Sequence, residues 1–349
     1  MKEQYDQLVS KSFRAFGKSK VSILEEAMRI ADQYLDHKER YSIRMKLIYA
    51  AADAGMGEKV IPAFTWCLNE FDRHPDQYYT SEFFRQYQTM INQMMAYPHI
   101  SLQKIEESMQ NLRQRLQLYN RSLRPYYRLK MNFAKQISDI QSLERYYHLW
   151  LAEPEDRCQA CELHTQTSTL IYLKRYEEAY QAAKPLLDYQ LFHYYVPRIT
   201  YSFFLLPLLQ QNKKKEAAKL HRKGFLWVNS EWIKNFAPYI VAASRHLEYL
   251  TVVHRKQAIQ LIERYLPAVL ETPNPLKKFY FYRSATIFFP YRKKFDIELP
   301  EGVTMASIEN ELNQLAEAFD RRNGTNAFRE SIHERTIEIA QRKKQYPHS

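Results

Sequence analysis

Apolar residues recur along almost the whole chain at intervals of three and four, the spacing of one face of an α-helix, and strand-like alternation is nearly absent. The first strong pattern follows Ser22, which is spaced from Glu25 as in a helix-capping box. A second predicted helix covers about residues 39–54 and stops at Gly55, and a third covers residues 58–71. The pattern therefore predicts an all-α protein built from pairs of helices joined by short turns.

The same helix pair returns along the chain, most clearly around residues 174–180, whose sequence is Lys-Arg-Tyr-Glu-Glu-Ala-Tyr. This unit resembles a tetratricopeptide repeat, in which a small residue early in the second helix lets the two helices cross closely. Equivalent positions, 36 to 45 residues apart, are held by Leu24, Val60, Ile105, Leu143, Ala179, Ala217 and Ala258. The spacing exceeds the family's repeat of about 34 residues. In the last four units the small residue of the first helix is replaced by Met131, Thr167, Leu205 and His246.

The resemblance implies an α-α superhelix, or solenoid, of about seven tetratricopeptide-like helix pairs, because each pair leaves an apolar face that the next pair covers. Such an array has a concave side that binds partners. Residues 1–290 are predicted to form the array. Residues 291–349 are predicted to form a linker and two C-terminal capping helices, around residues 308–319 and 328–339, with Gly324 between them.

The resemblance also implies a place for ligand contacts, since many tetratricopeptide proteins use fixed positions of the first helix of a pair. With Leu143 as reference, a concave polar patch is predicted at Arg128, Asn132, Lys135 and Gln136. Arg128 and Asn132 resemble half of the clamp that some family members close on a terminal carboxylate. The other half is missing, because the equivalent positions of the next two units hold His164, Ser168, Ser202 and Leu206. We therefore expect a polar patch rather than a clamp.

Positive charge is concentrated in one segment of the chain. The whole sequence has a formal net charge of +12, and residues 189–294 alone carry 18 Lys and Arg against 5 Asp and Glu. Aromatic residues are interleaved with these cations, which predicts a basic aromatic patch that attracts acidic partners. Its candidate residues are Tyr194, Tyr195, Arg198, Arg222, Lys223, Trp227, Trp232, Lys234, Arg255, Lys256, Lys277, Lys278 and Arg283. An ordinary arrangement, with aromatics packed between helices and cations solvated, explains the same composition.

Motifs for catalysis are not found in the sequence. Gly occurs only six times, and there is no phosphate-binding glycine loop, no His-Glu-x-x-His and no glycine-flanked serine. Cys158, Cys161 and His164 have a spacing that suggests metal binding, but on a helix they fan around part of one face, and a structural zinc needs four ligands. We therefore predict that the cysteines pack as small apolar residues inside a helix pair, with no metal, no cofactor and no enzymatic activity.

The number of cysteines, the N-terminal sequence and the apolar stretches bear on where the protein is located. Three cysteines are too few for a disulfide framework, the N-terminus lacks a signal-peptide pattern, and the longest apolar stretch, residues 203–209, is too short to cross a membrane. The sequence thus favours a cytoplasmic scaffold or regulator that binds a protein or peptide, acidic partners included. Two alternatives stay open: a nucleic-acid-associated protein whose basic segment contacts the phosphate backbone, and a component that forms homo-oligomers.

Overall fold

The chain is all-α, as predicted, in a computed structural model that describes residues 1–155, 158–230, 237–292 and 296–346. These residues form seventeen α-helices and three short 3-10 turns, and the only β-type pairing among them is an isolated bridge between His193 and Val196. No helix in this part of the chain is both long enough and apolar enough to cross a membrane. The chain divides into two compact units, the first mainly residues 1–119 and the second mainly the residues from 120 onward.

The first unit contains six helices, namely α1 Lys2–Ser12, α2 Gly17–Tyr34, α3 His37–Asp53, α4 Gly57–Arg73, α5 Thr80–Met95 and α6 Leu102–Leu118. Polar side chains cap the N-termini of two of these helices. Asp36 accepts hydrogen bonds from the backbone N–H groups of Lys38 and Glu39 at 2.8 and 3.1 Å, and Ser101 accepts one from Lys104 at 3.3 Å. Such caps satisfy N–H groups that the first turn of a helix leaves unpaired.

The second unit contains eleven helices in the described residues, and the candidate site lies in it. Their bounds are α7 Arg124–Gln136, α8 Ile140–Ala152, α9 Gln159–Tyr172, α10 Tyr176–Leu187, α11 Leu205–Gln210, α12 Lys214–Val228, α13 Ala237–Val253, α14 Arg255–Glu271, α15 Pro275–Phe288, α16 Met305–Asn323 and α17 Ala327–Lys344. Helices that follow each other in the chain pack together, for example α7 on α8 and α9 on α10. Short connections favour the pairing of successive helices.

The positions that we equated between the predicted repeats share one environment. Each has 0% of its surface exposed, and the seven lie in alternate helices, namely Leu24 in α2, Val60 in α4, Ile105 in α6, Leu143 in α8, Ala179 in α10, Ala217 in α12 and Ala258 in α14. In each of the seven predicted pairs, the residue at the equivalent position is therefore buried. The superhelical stacking of successive pairs stays a prediction, as does the boundary at residue 290.

One detail of the helix prediction changes in the structure, and another is confirmed. The helix expected after Ser22 begins at Gly17, and Ser22 lies inside it, where its Oγ donates to the Lys18 carbonyl at 3.1 Å. The apparent capping box is therefore wrong, because a serine within a helix can bond back to the preceding turn. The stop at Gly324 is confirmed: this glycine ends α16 with φ of +67°, the left-handed conformation that glycine adopts without strain.

Candidate functional site

The predicted polar patch on α7 divides into two environments. Arg128 is only 6% exposed, and its Nη1 lies 4.0 Å from Oε1 of Glu162. The same carboxylate accepts a hydrogen bond from Arg124 Nε at 2.8 Å. Arg128 thus belongs to a buried ion-pair group, and Asn132 lies half-buried one turn further along α7. The C-terminal end of α7 is different, because Lys135 and Gln136 face a cavity.

We name it the Lys135 cavity, and its volume is about 80 Å³. Its lining includes Lys135 and Gln136 of α7, Tyr172 of α9, and Tyr280 and Arg283 of α15. The start of α17 closes it with Ala327, Phe328 and Ser331. The structure therefore brings together residues from both predicted sites, the polar patch of α7 and the basic segment, which are far apart in the sequence.

The Lys135 ammonium is held in this cavity by weak contacts. Its Nζ lies 3.4 Å from Ser168 Oγ, a neutral acceptor, while Tyr172 donates to the backbone carbonyl of Lys135 at 2.8 Å. Burial and, second to it, the charge of Arg245 together lower the pKa of Lys135 to about 8. A cation in a partly dry site with a like charge nearby favours any ligand that carries negative charge.

Lys135 should make stability depend on alkaline pH. Its pKa is about 8 in the folded chain, against an ordinary value of 10.5, so the unfolded chain binds more protons between these values and stability rises with pH. Relative to Lys135→Met, the wild-type chain should gain about 2 kcal/mol of unfolding free energy between pH 7.5 and 9.5. Urea titrations at the two pH values measure this difference. The exposed Lys256, replaced by Met, serves as the control, and an equal change in both variants would contradict the assignment.

A buried ion-pair group lies beside the cavity and joins α13, α15 and α17. Glu248 is 2% exposed and accepts hydrogen bonds from Arg283 Nη2 at 3.1 Å and Ser284 Oγ at 3.0 Å. Arg335 of α17 places its Nε 3.6 Å from the other oxygen of Glu248. Burial opposes ionisation of this carboxyl, but the charges of Arg335 and Arg283 outweigh burial and hold the pKa of Glu248 below its ordinary value.

Helix α17 lies against several helices of this unit. Phe328 packs on Phe279 of α15, with ring centroids 4.8 Å apart. Further along α17, Lys343 Nζ donates to the Val252 carbonyl at the end of α13 at 3.1 Å. Beyond the helix, the ring of Tyr346 lies 4.2 Å from the Nζ of Lys214, at the start of α12. Helix α17 therefore contacts α12, α13 and α15 through the residues named here and through Tyr346 just beyond its end.

The residues of the predicted basic aromatic patch lie in several places. Arg198 stacks on Trp227, with 3.6 Å between its guanidinium carbon and the ring centroid. The exposed Tyr194 meets Tyr195 edge to face at 5.3 Å. Of these two pairs, only Arg198 with Trp227 joins a cation to an aromatic ring. Two further candidates of the patch, Trp232 and Lys234, lie outside the described residues.

The remaining cations of the patch are on different helices and mostly have partners within the chain. Lys223 donates to the Leu187 carbonyl at 2.8 Å, and Lys278 pairs with Glu311 at 3.1 Å. Half-buried cations are Arg255 and Lys277, and exposed ones are Arg222 and Lys256. Of the described patch residues, only Arg283 lines the Lys135 cavity. The basic aromatic patch therefore stays a prediction.

Three charged residues of this site were not predicted. Arg245 and Glu248 of α13, and Arg335 of α17, all interact with the residues around the cavity. The sequence carried a signal for the first two, because they interrupt an otherwise apolar helix that reads Ala-Ala-Ser-Arg-His-Leu-Glu-Tyr-Leu from residue 242. Charges at core positions of a helix require partners, and such positions often belong to functional sites.

The cysteines do not pack as predicted. Cys158 is exposed and precedes α9, and Cys161 is half-buried in the first turn of that helix. The expectation that both are small core residues is therefore wrong for Cys158, because the chain places it at the helix end. His164 faces a different neighbour, and its Nδ1 lies 2.8 Å from Thr200 Oγ1.

Comparisons of the chain with protein-family models, with curated proteins and with solved structures find no match. The fold and the site define an all-α chain whose second unit carries a small cavity lined by Lys135, Arg283 and the start of α17.

Proposed function

We propose that the chain is a non-catalytic scaffold or regulator that binds an acidic segment of a protein or peptide in its second unit. The observation that carries this proposal is the Lys135 cavity, where Lys135 and Arg283 meet and no acidic side chain is present among the described lining residues. In the proposed arrangement the helix pairs stack as a tetratricopeptide-like solenoid, and the cavity lies on its concave side.

A carboxylate from the partner would remove an electrostatic penalty that the chain carries alone. The ammonium of Lys135 is partly dry, its polar contact is the neutral Ser168, and Arg245 repels it. Burying a charge without an opposite charge costs free energy, and an anion in the cavity recovers part of that cost. The free energy recovered in this way contributes to the binding of an acidic ligand.

The size of the cavity favours a segment over a free small molecule. Pockets for drug-sized ligands have volumes of roughly 300–1,000 Å³, whereas this cavity of about 80 Å³ suits a single carboxylate group. Affinity must then come from an extended contact outside the cavity. In the proposed complex the segment makes this contact with helices next to the cavity, and α13 and α15, which already contact α17, are the candidates.

The alternative partner, a nucleic acid, would use the exposed cations of the basic segment. Arg222 and Lys256 are available for phosphate contacts. Stacking of bases needs accessible aromatic rings. Trp227 carries Arg198 on its face, whereas Tyr194 is exposed. The acidic segment is favoured by the Lys135 cavity, whose described lining holds two cations and no acidic side chain, and an oligonucleotide tests the alternative.

The proposal is tested by fluorescence anisotropy with a labelled deca-glutamate peptide, a Gly-Ser peptide of equal length and a single-stranded 20-mer of thymidine. The peptide should bind the wild-type chain, and it should bind Lys135→Met at least about tenfold more weakly, since contacts to charged groups contribute about 1.5–3 kcal/mol. Lys256→Met, which removes an exposed lysine of the basic segment, should bind like the wild type.

Two results would contradict the proposal. In the first, deca-glutamate binds equally well to the wild type and to Lys135→Met, which would mean that the cavity does not recognise the carboxylate. In the second, only the oligonucleotide binds and its affinity falls steeply with salt, the sign of counterion release from phosphates. The second result would favour the nucleic-acid alternative.

A further inference from the structure

Three metal-ligating side chains meet at the N-terminal end of α9. The Sγ atoms of Cys158 and Cys161 are 3.1 Å apart, and Cys161 Sγ lies 3.0 Å from Nδ1 of His193. All three ligand atoms lie within 4.8 Å of one another. His193 is 32 residues beyond Cys161 in the sequence, so this meeting results from the fold and not from a local spacing.

The two cysteines are positioned by the start of the helix. Cys158 is the N-cap residue of α9, and the backbone N–H of Cys161 donates to the Cys158 carbonyl at 2.9 Å. Residues three apart on a helix share one side.

The histidine is positioned by a tight turn that packs on the same helix pair. His193 and Val196 exchange two backbone hydrogen bonds, each 2.9 Å long, which close the turn between them. Val196 is buried together with Ala160 of α9 and Leu186 of α10. The imidazole and the thiols are thus carried by two elements that are already fixed to each other, so little ordering is needed when an ion binds.

The donor atoms indicate the class of ion. Thiolate sulfur and imidazole nitrogen suit zinc and other soft or borderline metals, whereas calcium and magnesium require oxygen. Zinc binds at about 2.3 Å to sulfur and about 2.0–2.1 Å to nitrogen. Side chains that are exposed or half-buried, as these are, can open by the small distance needed to admit an ion between them.

We infer that Cys158, Cys161 and His193 form a binding site for a thiophilic divalent cation, with zinc as the best fit. Three protein ligands leave one position of a tetrahedral ion for water or for a donor from a partner. The ion joins the start of α9 to the turn at residues 193–196. Two thiols lose protons when the ion binds, so affinity rises with pH through the thiol range.

The test is a titration of the reduced full-length chain with Co²⁺, followed by displacement with Zn²⁺. The wild type should bind one equivalent of Co²⁺ with the absorption of thiolate-to-cobalt charge transfer, and Zn²⁺ should abolish that absorption. His193→Asn and Cys158→Ser should each weaken Zn²⁺ binding about tenfold or more, because loss of a ligand exceeds the effect of losing an outer contact. The controls are His148→Asn, an exposed histidine elsewhere, and Cys67→Ala, a buried cysteine, and both should bind like the wild type.

A second readout needs no substitution. Iodoacetamide should label Cys158 and Cys161 in the free chain, and Zn²⁺ should slow that labelling while leaving the buried Cys67 unreactive throughout. The inference is overturned if Co²⁺ gives no thiolate absorption. It is also overturned if Zn²⁺ binds equally well to His193→Asn and the wild type, or if Zn²⁺ leaves the labelling rate unchanged.

Discussion

Replacing Glu248 with Ala should lower the free energy of unfolding by about 3–5 kcal/mol, the range observed when one partner of a buried ion pair is removed. The carboxylate is 2% exposed and contacts both Arg283 and Arg335. Without it, these two guanidinium groups and Arg245 repel each other in a poorly hydrated place. The loss should therefore exceed the effect of the missing contacts alone.

Urea unfolding followed by circular dichroism measures this loss. Glu311→Ala is the matched control, because Glu311 pairs with Lys278 at 3.1 Å but its side chain is 38% exposed. An exposed ion pair contributes about 0–1 kcal/mol. If Glu248→Ala costs no more than the control, the ion-pair group does not hold α13, α15 and α17 together as described.

Acid should destabilise the chain through two buried histidines. His221 and His246 lie with their Nδ1 atoms 2.9 Å apart, and burial lowers the pKa of His221 to about 4 and that of His246 well below its ordinary value. Below pH 6.5 the unfolded chain therefore binds more protons, and stability falls as the pH falls. His221 alone should remove about 2 kcal/mol between pH 7 and pH 5, and His246 acts in the same direction.

The measurement compares urea midpoints at pH 7 and pH 5 for the wild type and for His221→Phe. Phenylalanine keeps the ring packing of His221, whose centroid lies 4.7 Å from those of Phe225 and Tyr249. The variant should lose about 2 kcal/mol less than the wild type over this interval. An exposed histidine, His148, replaced by Asn, should leave the acid loss unchanged. Equal losses in all three chains would contradict the role of the pair.

Helical periodicity predicted much of the fold because it depends on neighbours along one helix. The buried positions that repeat through the chain, such as Leu143 and Ala179, were visible in the sequence for that reason. The start of α2 was not, since Ser22 and Glu25 have the spacing of a capping box although the helix already runs through them. Local patterns find the faces of helices more readily than their ends.

The candidate site was predicted only in part because it is assembled from distant segments. The family resemblance predicts Lys135 as a site residue, and the concentration of positive charge predicts Arg283. Nothing in the sequence indicates that the two residues line one cavity. The same limit applies to His193. Local spacing in the sequence points to His164, whereas the turn at residues 193–196 brings a different histidine to Cys161.

The most direct test of the central claim is the protonation of Lys135 itself, followed by NMR in a lysine-labelled chain and assigned by comparison with Lys135→Met. The free chain should show a pKa of about 8. Saturation with deca-glutamate should raise it by about one unit or more, because a carboxylate in the cavity favours the ammonium form. If the peptide binds and the pKa of Lys135 does not move, the cavity is not where the acidic segment is recognised.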